Sequence, residues 1–589
     1  MTFAQQIAQR LAAALAAVAP EAPADFVPAV TPAQDPRFGD YQSNAAMLLA
    51  KKLGTNPRQL ATELVAAFQA DGLTLVPEIA GPGFINFRLD PAALTEKLAT
   101  LLADEKLGAA LAEGGTAQRL VIDFSSPNVA KPMHVGHIRS TILGDALARI
   151  ARFLGHHVVT DNHIGDWGTQ FGMLLVAWKT DLHREALDAD PLGEMERLYR
   201  NMNARCLAEP AVREEAKAEL VKLQAGDAEN LAIWREMIRL SQAQFDAIYS
   251  RLGIEFDHTY GESFYNPWLA ETVDGLVAQG LARESDGALC VFSDHTLPEK
   301  EDPFLVSRDG QWQDNPALVR KADGGFNYTS TDLATVAYRL REFAPDQIVY
   351  VTDGRQQLHF RQLFAIFRRW QPGAAVDLRH VWFGSILGED GKPFKTRSGE
   401  TVKLADLLDE AEERALVIVT EKNPALPGEE RREIARVVGL GAVKYADLLP
   451  NRQSDYVFSW DKMLSLQGNT APYLQYSYVR ARGIFRKLEG APPSLEGPFA
   501  LTEDAERALF LQLARFAEEL PRVLDDFRPN LLSNYLFETA TRFHSFFEAC
   551  PVLRAEGQAK ATRLALCELT ARTIRTGLGL LGIGVTEKM

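Results

Sequence analysis

Two histidines one helical turn apart, His134 and His137, sit in the stretch SSPNVAKPMHVGHIRST (Ser125–Thr141) beside Lys131 and Arg139, with no carboxylate among them. In a chain of formal charge −15, that local concentration of imidazole and cationic groups points to an anion as ligand. Ile138, Ile142, Leu143, Ala146, Leu147, Ile150 and Leu154 recur at helical spacing up to a stop at Gly155, so the histidines stand at a helix start. Free backbone N–H groups and the positive end of the helix dipole already favour negative charge there. Gly136 between the histidines lets a flat group approach the backbone. The chemistry this suits is the binding of a nucleoside triphosphate. Two other uses stay open: zinc ligation, for which no third ligand follows at close spacing, and plain helix capping.

A second basic element, GEDGKPFKTRSGETVKL (Gly388–Leu404), follows the apolar run HVWFGSIL and carries Lys392, Lys395 and Arg397 among glycines. Alone it reads as a solvated surface loop. Paired with the first motif, it supplies lysines that can close over phosphates.

The elements that must position these residues follow from periodicity. RLVIDF, the helix through His137 and HHVVTDN make a βαβ unit, which predicts parallel strands and an α/β fold with a doubly wound sheet. The loop before the helix then lies at the carboxyl end of the first strand, where ligands bind open α/β sheets. From about Leu182 to Asp286 the chain is charged and mostly helical, an insertion between two halves of the sheet. Strand–helix alternation resumes with ALCVFS, STDLATVAYRLREF, QIVYVT and HVWFGSIL. Beyond about Trp460 the pattern is helical throughout. We expect an α+β N-terminal domain (1–112) closed by LAEGGTAQ, an interrupted α/β core (113–455) with its insertion at about 182–286, and an all-α C-terminal domain (456–589).

Composition bounds the class without choosing a function. Hydrophobic content of 46% and charged content of 24% are those of an ordinary globular protein. The four cysteines, Cys206, Cys290, Cys550 and Cys567, show no zinc or disulfide spacing. We expect a reducing, cytoplasmic location and no structural metal. IAQRLAAALAAVAP reads as an amphipathic helix and not as a leader, because Arg10 interrupts it. No apolar run has the length of a membrane span, so no membrane partner is expected.

The two motifs together resemble the signatures of the class I aminoacyl-tRNA synthetases, HVGH standing for HIGH and KPFKT for a degenerate KMSKS. FSSPNVAKPMHVGHIRSTILGD, NHIGDWGTQFG, YTSTDLAT, GAVKYADLLPNR and LQGNTAPYLQYSYVRARGIFRK extend the resemblance to the arginyl-tRNA synthetases of bacterial type, over nearly the whole chain. The resemblance implies a Rossmann-like core that activates L-arginine with ATP, Mg²⁺ accompanying the nucleotide, and transfers it to tRNA(Arg). It implies that His134, His137, Lys395 and Lys392 act on the phosphates, with Lys131 and Gly136 lining the ATP site. Pro393 and Phe394 replace the family's Met and Ser. It further implies that activation waits for tRNA. By the same carry-over Tyr328 and Asp332 hold the guanidinium, with Asp123 and Ser126 beside them, and Asn128 and Gln356 (or Gln357) hold the α-amino group. The chemistry agrees, since a guanidinium is a permanent cation with a planar fork of donors. Asp332 is equally placed to cap a helix.

For tRNA, Tyr473, Tyr476 and Arg480 interleave aromatic and basic groups on one helix, a pattern that stacks on bases and binds phosphates; half-buried core is the alternative. By resemblance this belongs to the anticodon-binding domain, with Tyr535 and the terminal Met589. Phe84 and Asn86 in GPGFINF match a segment that meets the tRNA elbow, core packing of Phe84 being the alternative. We expect a monomer with no DNA partner. Two other classes share parts of the pattern: a short nucleotidyltransferase, in which the C-terminal helices have no task, and a non-enzymatic RNA-binding relative, expected to lack His137 or Lys395.

Overall fold

In this computed structural model the short apolar runs of the middle of the chain become strands enclosed by helices. The structure describes residues 1–589 apart from 24, 112–114, 396–400 and 489–494. Strand β1 (Arg119–Asp123) is buried from Leu120 onward, the pattern of a strand covered on both faces. Helix α1 (Val135–Leu154) and strand β2 (His157–Asp161) follow, and later in the chain α2 (Tyr328–Phe343), β3 (Gln347–Tyr350), α3 (Gln357–Trp370) and β4 (Asp377–His380). The strand order is β4-β3-β1-β2 and every pair is parallel, the doubly wound sheet expected from the sequence. The chain leaves β1 on one side for β2 and returns on the other for β3. A crevice therefore opens between the carboxyl ends of β1 and β3.

The insertion differs from expectation. Its helices include Pro191–Ala208, Pro210–Gln224, Ala228–Leu252 and Asn266–Ala278, but antiparallel strands follow before α2. Ala282–Ser285, Ala288–Val291 and Ala317–Arg320 form one small sheet, and Leu305–Arg308 pairs with Gln311–Asp314. ALCVFS thus belongs to an added sheet and not to the parallel core. The cause is local: Asp286–Gly287 and Asp309–Gly310 are two-residue loops with φ of 50° and 76°, and of 51° and 77°, the geometry that turns a strand directly back on its neighbour. HVWFGSIL also divides. Asp377–His380 closes the core sheet, whereas Ile386–Leu387 pairs with Tyr456–Val457. Between them the chain passes over another backbone at Gly384, where a Cβ would stand 2.7 Å from the carbonyl carbon of Ser454.

At the N-terminus an antiparallel sheet (Thr31–Pro32, Tyr41–Ser43, Phe84–Phe87, Glu78–Ala80 in spatial order) packs with helices Phe3–Val18, Ala45–Leu53 and Pro57–Ala67. The first of these is the amphipathic Ala/Leu segment, burying Phe3, Ile7, Leu11, Ala14 and Leu15. The C-terminal helices run Ala471–Arg486, Asp504–Ala514, Phe516–Asp525, Asn530–Ala549 and Gly557–Leu580. Charge pins the two ends of the chain together: Asp40 accepts both terminal nitrogens of Arg507 at 2.7 and 2.6 Å, and Tyr41 Oη donates to Glu518 at 2.9 Å. Among the described residues no helix is long and apolar enough to cross a membrane. Linker residue Gly114, and Arg397 and Gly399 of the lysine loop, lie outside the described residues.

Candidate active site

His134 is the residue that caps α1. Its Nδ1 accepts the Gly136 backbone N–H at 3.1 Å, and His137 Nδ1 accepts the His134 backbone N–H at 3.1 Å. A hydroxyl and a carboxylate ordinarily make this reciprocal cap; here two imidazoles make it, their ring centroids 4.0 Å apart. The capping use set out from the sequence is thus present, and it leaves both Nε2 atoms outside the cap. With Nδ1 accepting in both rings, each neutral ring carries its proton on Nε2. Burial first, then the positive fields of Arg355 and Lys131, hold the His134 pKa below the ordinary imidazole value; burial and His134 push His137 down to about 3. The helix start thus presents two uncharged Nε2–H donors beside its unpaired backbone amides. Gly136 has a different task from the one expected: a Cβ there would stand 2.8 Å from His134 Cε1, so glycine makes room for the imidazole cap.

The lysine loop is tied to this helix start from its far side. Val135 N–H donates to Val402 O at 2.9 Å and Leu404 N–H to Met133 O at 2.9 Å. The substituted positions have a structural use, since Phe394 stacks on Phe458 at 4.5 Å and Pro393 bridges to Leu387. Lys392 and Lys395 are exposed on the loop. Lys131 Nζ stands 4.6 Å over the ring of Tyr199 in the insertion. Arg139 is not a ligand group: it is buried, its Nε lies 3.0 Å from Asp447, and its Nη1 donates to Gly384 O and Ser454 O at 2.8 and 3.1 Å. It braces α1 against the stem of the loop. Arg355, whose field reaches His134, is a cation that its own segment, DGRQQLHF, did not single out.

The other end of the crevice holds a carboxylate beside two histidines. Asp332 is the fifth residue of α2, whose cap is Asn327, so capping does not explain it. Its Oδ2 lies 2.5 Å from His359 Nε2, and its Oδ1 lies 3.9 Å from His163 Nε2. Tyr328, at the start of α2, is 61% exposed and meets His359 edge-on with ring centroids 4.8 Å apart. Gln356 is exposed, whereas the Gln357 amide donates to Gly354 O at 3.0 Å and is engaged locally. Asn128, exposed, bridges through its backbone to Gly165.

Asp123 requires correction. It is 4% exposed, and its Oδ2 accepts from Nη2 of Arg339 at 2.6 Å, the same nitrogen reaching Asp161 Oδ2 at 2.7 Å. Its other oxygen takes Ser126 Oγ at 3.1 Å. A guanidinium of the protein itself fills this acid pair. Ser126 is held by that bond, and its backbone is left-handed, φ 49°. His163, Arg339 and His359 are the residues that sequence reasoning missed here.

The expected RNA-facing residues divide. Tyr476 is exposed and Tyr473 half-buried against Phe537. Arg480 lies 4.1 Å over the Phe547 ring and 2.9 Å from His544. Tyr535 is buried and its hydroxyl donates to Gln512 O at 2.8 Å, so it is a core residue and not an RNA contact. Asn86 is also buried, inside the N-terminal sheet, leaving Phe84, half-exposed, as the accessible member of that pair. Met589 packs partly against the C-terminal core.

A parallel sheet with an HxGH helix at its carboxyl edge and a lysine loop bridged to it defines the class I aminoacyl-tRNA synthetases. Comparison with known proteins narrows the class. Residues 97–460 match the family described as tRNA synthetases class I (R), catalytic domain; residues 474–589 match the DALR anticodon binding domain, and residues 5–89 the arginyl tRNA synthetase N terminal domain. An arginine–tRNA ligase of Laribacter hongkongensis is 48% identical over 100% of both chains, and one of Chromobacterium violaceum is 49% identical over 100% of both. Among solved structures, arginyl-tRNA synthetase from Plasmodium falciparum superposes with a TM-score of 0.83 at 28% identity, covering 100% of this chain and 99% of that one. The enzyme of Thermus thermophilus gives 0.82 at 25% identity, covering 100% of each. The chain belongs to the arginyl-tRNA synthetase family.

Proposed function

We propose that this chain ligates L-arginine to tRNA(Arg) through an arginyl-adenylate, using ATP and releasing AMP and pyrophosphate. The arginine carboxylate attacks the α-phosphorus in line as the bond to pyrophosphate breaks; a terminal hydroxyl of the tRNA then attacks the activated carbonyl and AMP leaves. Little covalent help is needed from the protein, only position and stabilisation of developing charge. His134 and His137 donate Nε2–H to the phosphates, Lys131, Lys392 and Lys395 add positive charge, and Gly136 keeps the cap in place. Tyr328 and Asp332 receive the guanidinium, and Asn128 and Gln356 the α-amino group. The observation that carries this is the reciprocal imidazole cap at one end of a crevice whose other end holds an open carboxylate.

Mg²⁺ enters with the nucleotide phosphates and supplies further charge neutralisation there; among the described residues no group of three or more His, Cys, Asp or Glu forms a cage for it. The N-terminal unit, with Phe84, meets the tRNA elbow, and the C-terminal helices, with Tyr473, Tyr476, Arg480 and Met589, read the anticodon arm. The enzyme works as a cytoplasmic monomer with no DNA partner; its exposed large apolar residues, such as Val76, Leu207 and Val417, lie on different units of the fold. Charging of bulk tRNA with labelled arginine, in competition with the other standard amino acids, tests the reading. Selective arginine incorporation is expected, and equal incorporation of lysine contradicts it.

A further inference from the structure

The cation end of the crevice contains two imidazoles that the reaction, as derived above, does not use. His359 sits on the first turn of α3, directly after the segment that carries Arg355 and Gln356. Its Nε2 reaches Asp332 Oδ2 at 2.5 Å and its ring is met edge-on by Tyr328 at 4.8 Å. It therefore touches both residues assigned to the guanidinium and hangs from the segment assigned to the α-amino group. His163, which follows β2, is farther from the carboxylate, at 3.9 Å from Oδ1.

We propose that His359 is a positioning residue that sets the specificity pocket for a guanidinium: as a neutral ring it donates Nε2–H to Asp332 Oδ2 and leaves Oδ1 for the substrate. The proposal rests on Asp332 being the guanidinium partner. A protonated His359 makes its own ion pair with Asp332 and places a positive charge where the substrate's must go. Arginine binding and protonation of His359 thus oppose each other, because the arriving guanidinium disfavours a second positive charge on the same carboxylate.

Other titratable groups line the same end, and the variants below separate them from His359. From β4, His380 faces His359 and is pushed down to about 4 by burial, so it stays neutral. From β3, burial pushes the Tyr350 phenol up, away from neutral pH. On the other side, Asp166 and Glu262 face His163, both pushed up by burial. Asp161 also faces His163, but its charge is met by Arg339. The Tyr265 hydroxyl, packed on His163, is held protonated by burial. Among the described residues only His359 is in direct hydrogen-bond contact with the Asp332 carboxylate.

The test is calorimetric titration of arginine into the full chain at several values between about pH 8 and about pH 6, in two buffers of different ionisation enthalpy. KM values for arginine and for ATP in tRNA charging are measured alongside, from about pH 8 to about pH 6. Binding is expected to release a proton, and the arginine KM to rise on the order of tenfold across that range with the ATP KM unmoved. His359→Gln keeps a donor; it should abolish proton release, flatten the arginine profile and weaken arginine about tenfold at pH 8, the effect of a poorer hydrogen bond to a charged group. His163→Gln should keep the release. Absence of proton release by the unaltered chain, which needs no variant to fold, overturns the proposal, as does release that persists in His359→Gln. Asp332→Asn separates the two levels. Unchanged arginine affinity there removes the guanidinium reading itself, whereas lost affinity together with wild-type release in His359→Gln removes only the role of His359.

Discussion

The crevice holds two histidine pairs, and their surroundings give them opposite tasks. His134 and His137 have their Nδ1 atoms occupied by backbone N–H groups and are held neutral by burial. They are fixed donors, and the proposed function gives them an anion from outside. His163 and His359 stand beside an anion the protein already owns, Asp332, and the proposed ligand there is a cation. The same side chain serves both ends because its protonation and its free nitrogen are decided by what the other nitrogen and the surrounding charges do. A histidine motif becomes informative only when its second nitrogen is accounted for.

Removing the charge at the cation end should have the largest effect. Asp332→Asn replaces a partly buried ionic contact with a neutral one and should lower kcat/KM for arginine by roughly 3 kcal/mol or more, above a hundredfold. KM for ATP should hardly move in steady-state charging assays. If both substrates suffer equally, the division of the crevice into two ends is wrong.

At the anion end, His134→Ala or His137→Ala should slow adenylate formation by about two orders of magnitude, the scale of losing one preorganised donor, with arginine affinity kept. Single-turnover quench kinetics on a variant of unchanged circular dichroism measures this. His134→Ala should also cost about 1 kcal/mol in denaturant unfolding, because the cap goes with it.

Proton linkage sharpens the contrast further. The unfolded chain binds a proton that folded His137 refuses. Its contribution to stability is therefore intact above the imidazole range, near pH 6.5, and declines as pH falls from there toward about 3, by roughly 1.4 kcal/mol per pH unit. Urea titrations at about pH 7 and about pH 5.5 should show the decline in the unaltered chain and a reduced one in His137→Gln. An identical decline in both would mean that His137 is charged when folded. The smallest effect belongs outside both pairs: Tyr535→Phe should cost about 1 kcal/mol of stability by removing a buried hydrogen bond and leave charging of tRNA unchanged.

How much of this was legible in the sequence depends on distance along the chain. The parallel core follows from the apolar periodicity of Arg119–Asp161, and the anion site from two histidines at a helix start, because both are patterns within a few turns of backbone. Asp123 looked free because its partner, Arg339, is 216 residues away, and His359 is 27 residues from Asp332. No spacing rule joins such pairs; only the fold does. Tyr535 fails for another reason, since an aromatic on an amphipathic helix has the same sequence pattern wet or buried. The Asp286–Gly287 and Asp309–Gly310 hairpins are a different case. Their signal is present in the sequence, and the alternation of strands and helices around them outweighed it.

The central claim is that one crevice brings a nucleotide's phosphates and an arginine side chain into reacting register. ATP–pyrophosphate exchange by the full chain, run with each standard amino acid in the presence and absence of tRNA, tests it most directly. Exchange should occur with arginine, in the presence of tRNA, and with no other amino acid, and it should fall on the order of a hundredfold in Asp332→Asn and in His137→Ala alike. Exchange supported by a different amino acid, or its complete absence with arginine and tRNA both supplied, would contradict it.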